Sequence, residues 1–157
     1  MIQDARARAI PTFLKAGLVA GMLDGLDAAI FIGVVRGVGV LRVYQFIASG
    51  LLGRRSFAGG WSTGALGVLL HFFIATSAAA VYYALIQRIP LLAKRPLIAG
   101  PFFGLGVYLF MHYVVVKLSA AQSRPLHGID LINQLFAHIF FVGIPIALVT
   151  AYDLRKK

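Results

Sequence analysis

Cysteine is absent from the chain, which excludes disulfides and thiolate chemistry and leaves His, Asp and Glu as the available metal ligands. The absence leaves the redox compartment open, because either side of a membrane houses Cys-free proteins. Acids are scarce as well: five Asp and Glu stand against fifteen Lys and Arg, a net charge of +10. In a soluble protein that excess would suggest nucleic acid. Here no nucleic-acid partner is expected, because the bases fall between long apolar stretches, where they meet the anionic headgroups of membrane lipids and set topology. The usual nucleotide and hydrolase signatures are missing too: GxGxxG and GxSxG do not occur, and "GRRS" with the glycines at 59–60 lacks Walker spacing. The chain therefore reads as a non-enzyme without a cofactor.

What it has in abundance is apolar surface. A hydrophobic share of 60% over 157 residues, with a mean hydropathy of +0.86, exceeds that of a soluble globular protein and describes one integral membrane domain, 1–157. Four stretches, about 14–35, 63–86, 97–118 and 129–151, are long enough to cross a hydrocarbon layer of roughly 30 Å at about 1.5 Å per residue. The expected fold is all-α, a four-helix transmembrane bundle. "RIPLLAKRP" (88–96) and "SAAQSRPLHG" (119–128) are tight links, so spans 2, 3 and 4 are expected to be neighbours.

The longer connection differs in kind. In "VLRVYQFIASGLLGRRS", Arg42, Gln45 and Ser49 recur at helical spacing, as do Val40, Tyr44, Ile47 and Leu51. This amphipathicity predicts an interfacial helix over about 38–53 between spans 1 and 2. A helix packed across the mouth of the bundle is the alternative, and a fifth crossing is disfavoured by Arg36, Arg42, Arg54 and Arg55. Arg6, Arg8 and Lys15 before the first apolar run imitate a signal peptide, but two aspartates within the run and no cleavage site argue for a retained span.

With four spans, one side receives Arg6, Arg8, Lys15, Arg88, Lys94, Arg95, Arg155, Lys156 and Lys157, and the other Arg36, Arg42, Arg54, Arg55, Lys117 and Arg124. Nine bases against six place both termini on the cytoplasmic side of the membrane. Trp61, Tyr82, Tyr83, Tyr113 and Tyr152 fall near span ends, as headgroup-level anchors do. "AGLVAG" (16–21) and "AGPFFG" (99–104) give a faint tandem echo of a two-plus-two duplication.

Charged residues at the centre of a membrane helix cost about 2.5–3.5 kcal/mol on insertion scales, so those that occur face protein or water. Asp24 and Asp27 in span 1, His71 in span 2, His112 in span 3 and His138 in span 4 are such groups, level to within about one and a half helical turns. Four of them lie on stripes of small or polar residues: Gly17, Gly21, Asp24, Ala28; Gly64, Gly67, His71, Ala75; Gly100, Gly104, Tyr108, His112; and Gln134, His138, Phe141, Pro145; Asp27, rotated about 60° from Asp24, is expected close to the same face. Such stripes are where membrane helices approach most closely. The five are therefore the candidate intramembrane cluster, with Tyr108 and Gln134 as supporting groups.

Three chemistries fit the set. Carboxylate beside imidazole supports proton relay or handling of a small polar or ionic solute; three His and an Asp suit a divalent metal, although no HxxxH pair occurs on one helix; interhelical hydrogen bonds alone would serve packing. A non-catalytic scaffold or subunit binding other transmembrane helices through its glycine faces is the competing reading, and a homo-oligomer or a membrane-protein partner is expected, four spans being few for a complete transporter. Pro145 frees the carbonyl of Phe141 and can kink span 4. Asp130 lies in the first turn of that span, where the dipole favours an anion.

"HFFIATSAAAVYYA" (71–84), "LIAGPFFGLGVYLFMHYVV" (97–115), "LFAHIFF" (135–141) and the closing "YDLRKK" (152–157) resemble the YagU-like family of bacterial inner-membrane proteins, a group without an assigned reaction. The resemblance covers about residue 40 to the end and includes His71, His112 and His138 as matching positions. It implies a membrane location and a helical bundle. Span 1 departs from the family pattern, so Asp24 and Asp27 rest on their own chemistry.

Overall fold

The computed structural model describes residues 2–122 and 125–156, with side chains described from Ile10 onward. Arg6, Arg8, Arg124 and Lys157, four of the bases used for orientation, lie outside the described side chains. Helix makes up 89% of the structure and no strand occurs among the described residues, so the fold is built from helix packing alone. Four helices are long and apolar enough to cross a membrane: Ile10–Val35, Gly60–Arg88, Pro96–Leu118 and Gly128–Arg155. They contain the four expected spans and outrun them by up to four residues at an end. The protein is a multi-pass membrane protein, and its outward side chains agree: Leu69, Phe73 and Phe102 are more than two-thirds exposed, as suits a lipid-facing surface.

The spans are ordered 2–1–4–3. Gly17 and Gly21 of span 1 lie against Thr76 and Phe72 of span 2, where a Cβ would come within 2.5 Å and 2.8 Å of existing atoms. On the other side of span 1, Lys15 and Thr12 reach Asp153 of span 4 at 3.2 Å and 3.3 Å, so the first and last spans run antiparallel with the two termini at one end. Spans 3 and 4 pack backbone to backbone, Gly104 against the carbonyl of His138 and Gly143 against that of Gly100. The expectation that tight links make spans 2, 3 and 4 mutual neighbours holds for 3 and 4. Span 2 instead lies mainly along span 1 and the linking helix, meeting span 3 through Tyr82 edge-on to Phe103 at 4.8 Å. Small residues decide this: the stripe Gly64, Gly67, Ala75, Ala79 is buried by those two helices.

At the end of the bundle that holds the termini, Ala16, Ala20, Ala79, Tyr82, Ile86, Val142, Ile146 and Ala147 form a dry core. The ionisable residues lie above it. At the opposite end, span 1 changes from α to π geometry over Ala28–Val35 and then reverses through Gly37 and Gly39, whose φ values of +70° and +91° a side chain would strain.

The linking helix runs Val40–Leu52, inside the expected 38–53. Its faces differ from the expected division. Of the polar set Gln45 and Ser49 are buried and Arg42 is exposed, and of the apolar set Val40 and Leu51 are exposed while Tyr44 and Ile47 are half-buried. The reason is hydrogen bonding: the Gln45 amide donates to the Gly60 carbonyl at 3.0 Å and to Thr63 Oγ1 at 3.3 Å, and Thr63 in turn donates to the Ser56 carbonyl at 2.6 Å. A buried polar group is tolerable when so paired. The helix thus holds the start of span 2 with its polar side and turns apolar residues outward.

Candidate intramembrane polar site

Span 1 has acceptors on the side facing span 2 because glycines leave its backbone bare. The carbonyls of Gly21 and Gly25, one turn apart, accept hydrogen bonds from His71 Nε2 at 2.8 Å and from the Tyr44 hydroxyl at 3.1 Å. Because Nε2 points at a carbonyl, the neutral imidazole carries its hydrogen there and presents Nδ1 as its acceptor. Asp24 Oδ2 is 4.0 Å from the same Nε2, beyond hydrogen-bonding distance but within ion-pair range. Gly25 is required by this crowding: a Cβ on it would lie 3.1 Å from His71 Nε2 and 3.3 Å from the Tyr44 oxygen. His71 is also flanked edge-on by Tyr44 at 6.4 Å and Phe72 at 5.6 Å, leaving its ring little freedom except along the span 1 surface. Burial first, and the Asp24 carboxyl second, raise the Tyr44 phenol above its ordinary value, so it remains a donor throughout the physiological range.

Asp27 faces the other way. Its carboxylate accepts a 2.8 Å hydrogen bond from Asn133 Nδ2 on span 4. Nine residues above it Arg36 pairs with Asp130 at 2.9 Å, so the seam between spans 1 and 4 is polar at its two ends and at mid-height. Asp130, expected as a helix-start anion, does occupy the first turn of span 4, and its carboxylate is held by Arg36.

The remaining histidines form a third group. Tyr108 is buried between them, stacked on His112 at 5.6 Å and edge-on to His138 at 5.5 Å. His138 Nδ1 donates to the Gln134 carbonyl at 2.9 Å, leaving Nε2 as the free acceptor of the neutral ring. His112 also meets Tyr113 edge-on at 5.0 Å.

The five candidates therefore do not share one pocket. They form a layer crossed by span 1, with Asp24, His71 and Tyr44 on one face, Asp27 and Asn133 on the other, and His138, Tyr108 and His112 beyond. Nor is the layer sealed: the side chains of His71 and Asp24 keep 12% and 20% exposure, and all five groups are half-buried, which corrects the expectation of a fully buried cluster. The physical cause is geometric. Asp24 and Asp27 are three residues apart, and span 1 is covered by different helices on its two sides. Among the described residues no three His, Asp or Glu converge closely enough to hold a metal ion, so the metal reading lacks a ligand set. Of the two supporting groups, Tyr108 bridges two imidazoles, whereas Gln134 contributes through its backbone carbonyl.

Periodicity does not reveal Tyr44 and Asn133: the spacing of Tyr44 puts it on an apolar face, and Asn133 stands beside Gln134, so neither breaks the pattern. A second signal is backbone geometry. π-Helical segments begin immediately after Asp27, contain His112, and begin at His138. Such segments are uncommon and concentrate at functional sites, because the wider turn displaces carbonyls and side chains from the regular ladder. No family model, curated protein or solved structure matches this chain.

Proposed function

We propose that this protein relays protons, or a small polar solute that travels with them, through the layer of half-buried acids and imidazoles, and that it is a non-enzymatic component of a bacterial inner membrane. The approach of Asp24 to His71 between spans 1 and 2 carries the proposal. His71 Nε2–H rests on the Gly21 carbonyl, and Asp24 follows Gly21 by three residues on the same helix face. A small swing of the ring moves that hydrogen from Gly21 to the Asp24 carboxylate. A proton taken up at Nδ1 and one released from Nε2 to Asp24 leave the ring neutral with its tautomer reversed; proton exchange through water, Nδ1 giving up its proton as Nε2 gains one, restores the starting tautomer. Asp27, steadied by Asn133, offers the next acceptor toward span 4 and His138. The resemblance to YagU-like proteins and the surplus of bases at the end bearing the termini support the inner-membrane location with both termini cytoplasmic.

Proteoliposomes with a trapped pH-sensitive dye and an imposed potassium diffusion potential test the relay. Proton flux is expected from the unaltered protein, with at least a tenfold drop in Asp24→Asn and His71→Gln and most of the flux kept in His112→Ala. Absence of flux from the unaltered protein removes the reading.

The scaffold alternative loses most of its proposed surface, because Gly17, Gly21, Gly64, Gly67, Gly100, Gly104 and Gly143 are already used within the bundle. Gly106 has open space beside it in the interior of a span, unlike Gly60 and Gly128, which open theirs, and a helix of a second copy would dock there. Crosslinking through Gly106→Cys in mild detergent tests that arrangement: a dimer supports it, and monomer at all reagent concentrations excludes it.

A further inference from the structure

At the end of the bundle that bears the termini, the first residue of span 3 and the last two turns of span 4 leave a groove of about 400 Å³ open to the surroundings. Its floor is Pro96, Leu148, Val149 and Ala151, and its rim is Tyr152 and Arg155. The lining is hydrocarbon apart from that rim. Among the described residues the charge around the rim is of one sign. Arg155 donates one guanidinium N–H to the Ala93 carbonyl at 3.2 Å, which leaves the rest of its five donors free. The Lys156 ammonium sits 4.4 Å above the Tyr152 ring, Arg95 immediately precedes Pro96, and Lys94 and Arg95 are both exposed. Asp153, the acid of this last turn, points away into the seam with span 1, where Lys15 and Thr12 occupy its carboxylate.

We infer that this groove is a binding site for an anionic phospholipid, with one acyl chain along Leu148, Ala151 and Pro96 and the phosphate at Arg155 and Lys156. Three features support that occupant. The groove lies where an apolar span meets its basic flank, the depth at which a lipid changes from chain to headgroup. A guanidinium anchored by one N–H can still grip a phosphate through two others, a geometry an ammonium cannot supply. A tyrosine at the rim suits the same level, because its ring is apolar and its hydroxyl wet. A soluble anion would gain nothing from the apolar floor, and a zwitterionic lipid would gain little from a rim without an acid.

The chain contains one tryptophan, Trp61, which lies 82% exposed at the opposite end of the bundle. Replacing it by Trp61→Phe and adding Tyr152→Trp places the sole tryptophan reporter at the groove while keeping an aromatic ring under Lys156. In nanodiscs of full-length protein, brominated phosphatidylglycerol is expected to quench this reporter at lower mole fraction than brominated phosphatidylcholine. Arg155→Gln with Lys156→Gln should weaken that preference on the order of fivefold per base removed. Arg88→Gln, a charge lost from the same end but outside the groove, should leave the preference intact. Should the double variant fail to fold, unlabelled phosphatidylglycerol must relieve the quenching in the parent reporter while unlabelled phosphatidylcholine does not. Equal quenching by both brominated lipids, or an equal loss in Arg88→Gln, overturns the site and leaves a diffuse basic surface.

Discussion

Gly25 shows how much a single hydrogen atom in place of a methyl group decides in this molecule. Its missing Cβ is what lets the His71 imidazole and the Tyr44 hydroxyl reach span 1 together, since a methyl group there would stand 3.1 Å and 3.3 Å from them. Gly25→Ala is therefore expected to cost about 1–3 kcal/mol through overpacking and to move the imidazole nitrogen resonances of His71. Gly106→Ala, made where no atom lies within 4 Å, should stay within about 0.5 kcal/mol of the parent. Thermal unfolding in a fixed detergent and nitrogen spectra of labelled histidine check the pair. A destabilisation without any change at His71 would show that the glycine matters for helix packing alone. Asn133 supplies the second residue-scale expectation. Its amide donates to Asp27 across the seam at 2.8 Å, so Asn133→Ala should lose about 1 kcal/mol, as interhelical hydrogen bonds in membranes do. In a double-mutant cycle with Asp27→Ala, most of that energy should appear as coupling. Independent, additive losses would mean that the two side chains do not meet. The histidines and aspartates were legible in the sequence as costly residues at one level. Their partners were not, because a hydroxyl on a tyrosine or an amide next to another amide carries no penalty that periodicity registers.

Among elements, the spans were legible to within a few residues, since apolar length is a direct consequence of membrane thickness. Their adjacency was not. Link length favours neighbours in sequence, whereas small-residue stripes dictate which helices come closest, and here span 1 fits between spans 2 and 4. The linking helix carries the same lesson. Its amphipathic period was plain, but which face turns inward depends on whether the buried polar groups find partners, and Gln45 finds two at the start of span 2. The π segments were illegible for a related reason: an α-to-π change is set by what the helix packs against, not by the propensity of residues such as "AAIFIGVV". At this scale the sharpest expectation concerns spans 3 and 4. A Cβ on Gly104 would run into the carbonyl of His138, which is backbone and cannot rotate away. Gly104→Ala should thus separate the two helices and cost about 3 kcal/mol. It should also disturb the contact of Tyr108 with His138, which lies one turn further along. Loss of thermal stability clearly beyond that of Gly25→Ala, together with changed fluorescence of the tyrosines, checks it; a mild effect would require a wider helix pair than the one described.

The whole molecule separates into a dry end and a polar layer. Alanines and Ile146 fill the half near the termini, and the ionisable residues occupy the half toward the linking helix. This division makes the topology testable, because a cysteine-free protein accepts single introduced thiols without background. Ser62 is exposed at the start of span 2, Lys94 in the link between spans 2 and 3, and Lys156 just past the end of span 4. An impermeant maleimide applied to sealed, oriented vesicles should label Lys94→Cys and Lys156→Cys from one side and Ser62→Cys from the other. In the proposed orientation the first side is cytoplasmic. Thr12→Cys combined with Asp153→Cys should crosslink within one chain through a short bifunctional thiol reagent, since the native side chains approach to 3.3 Å. Labelling of Lys94→Cys and Ser62→Cys from the same side would contradict a crossing by span 2, and with it the placement of His71 at mid-membrane. If the two sites label from opposite sides but the crosslink forms between chains, the four crossings stand while the seam between spans 1 and 4 belongs to an exchanged dimer. The proposed proton relay would then require two copies, because Asp27 would reach Asn133 across the interface.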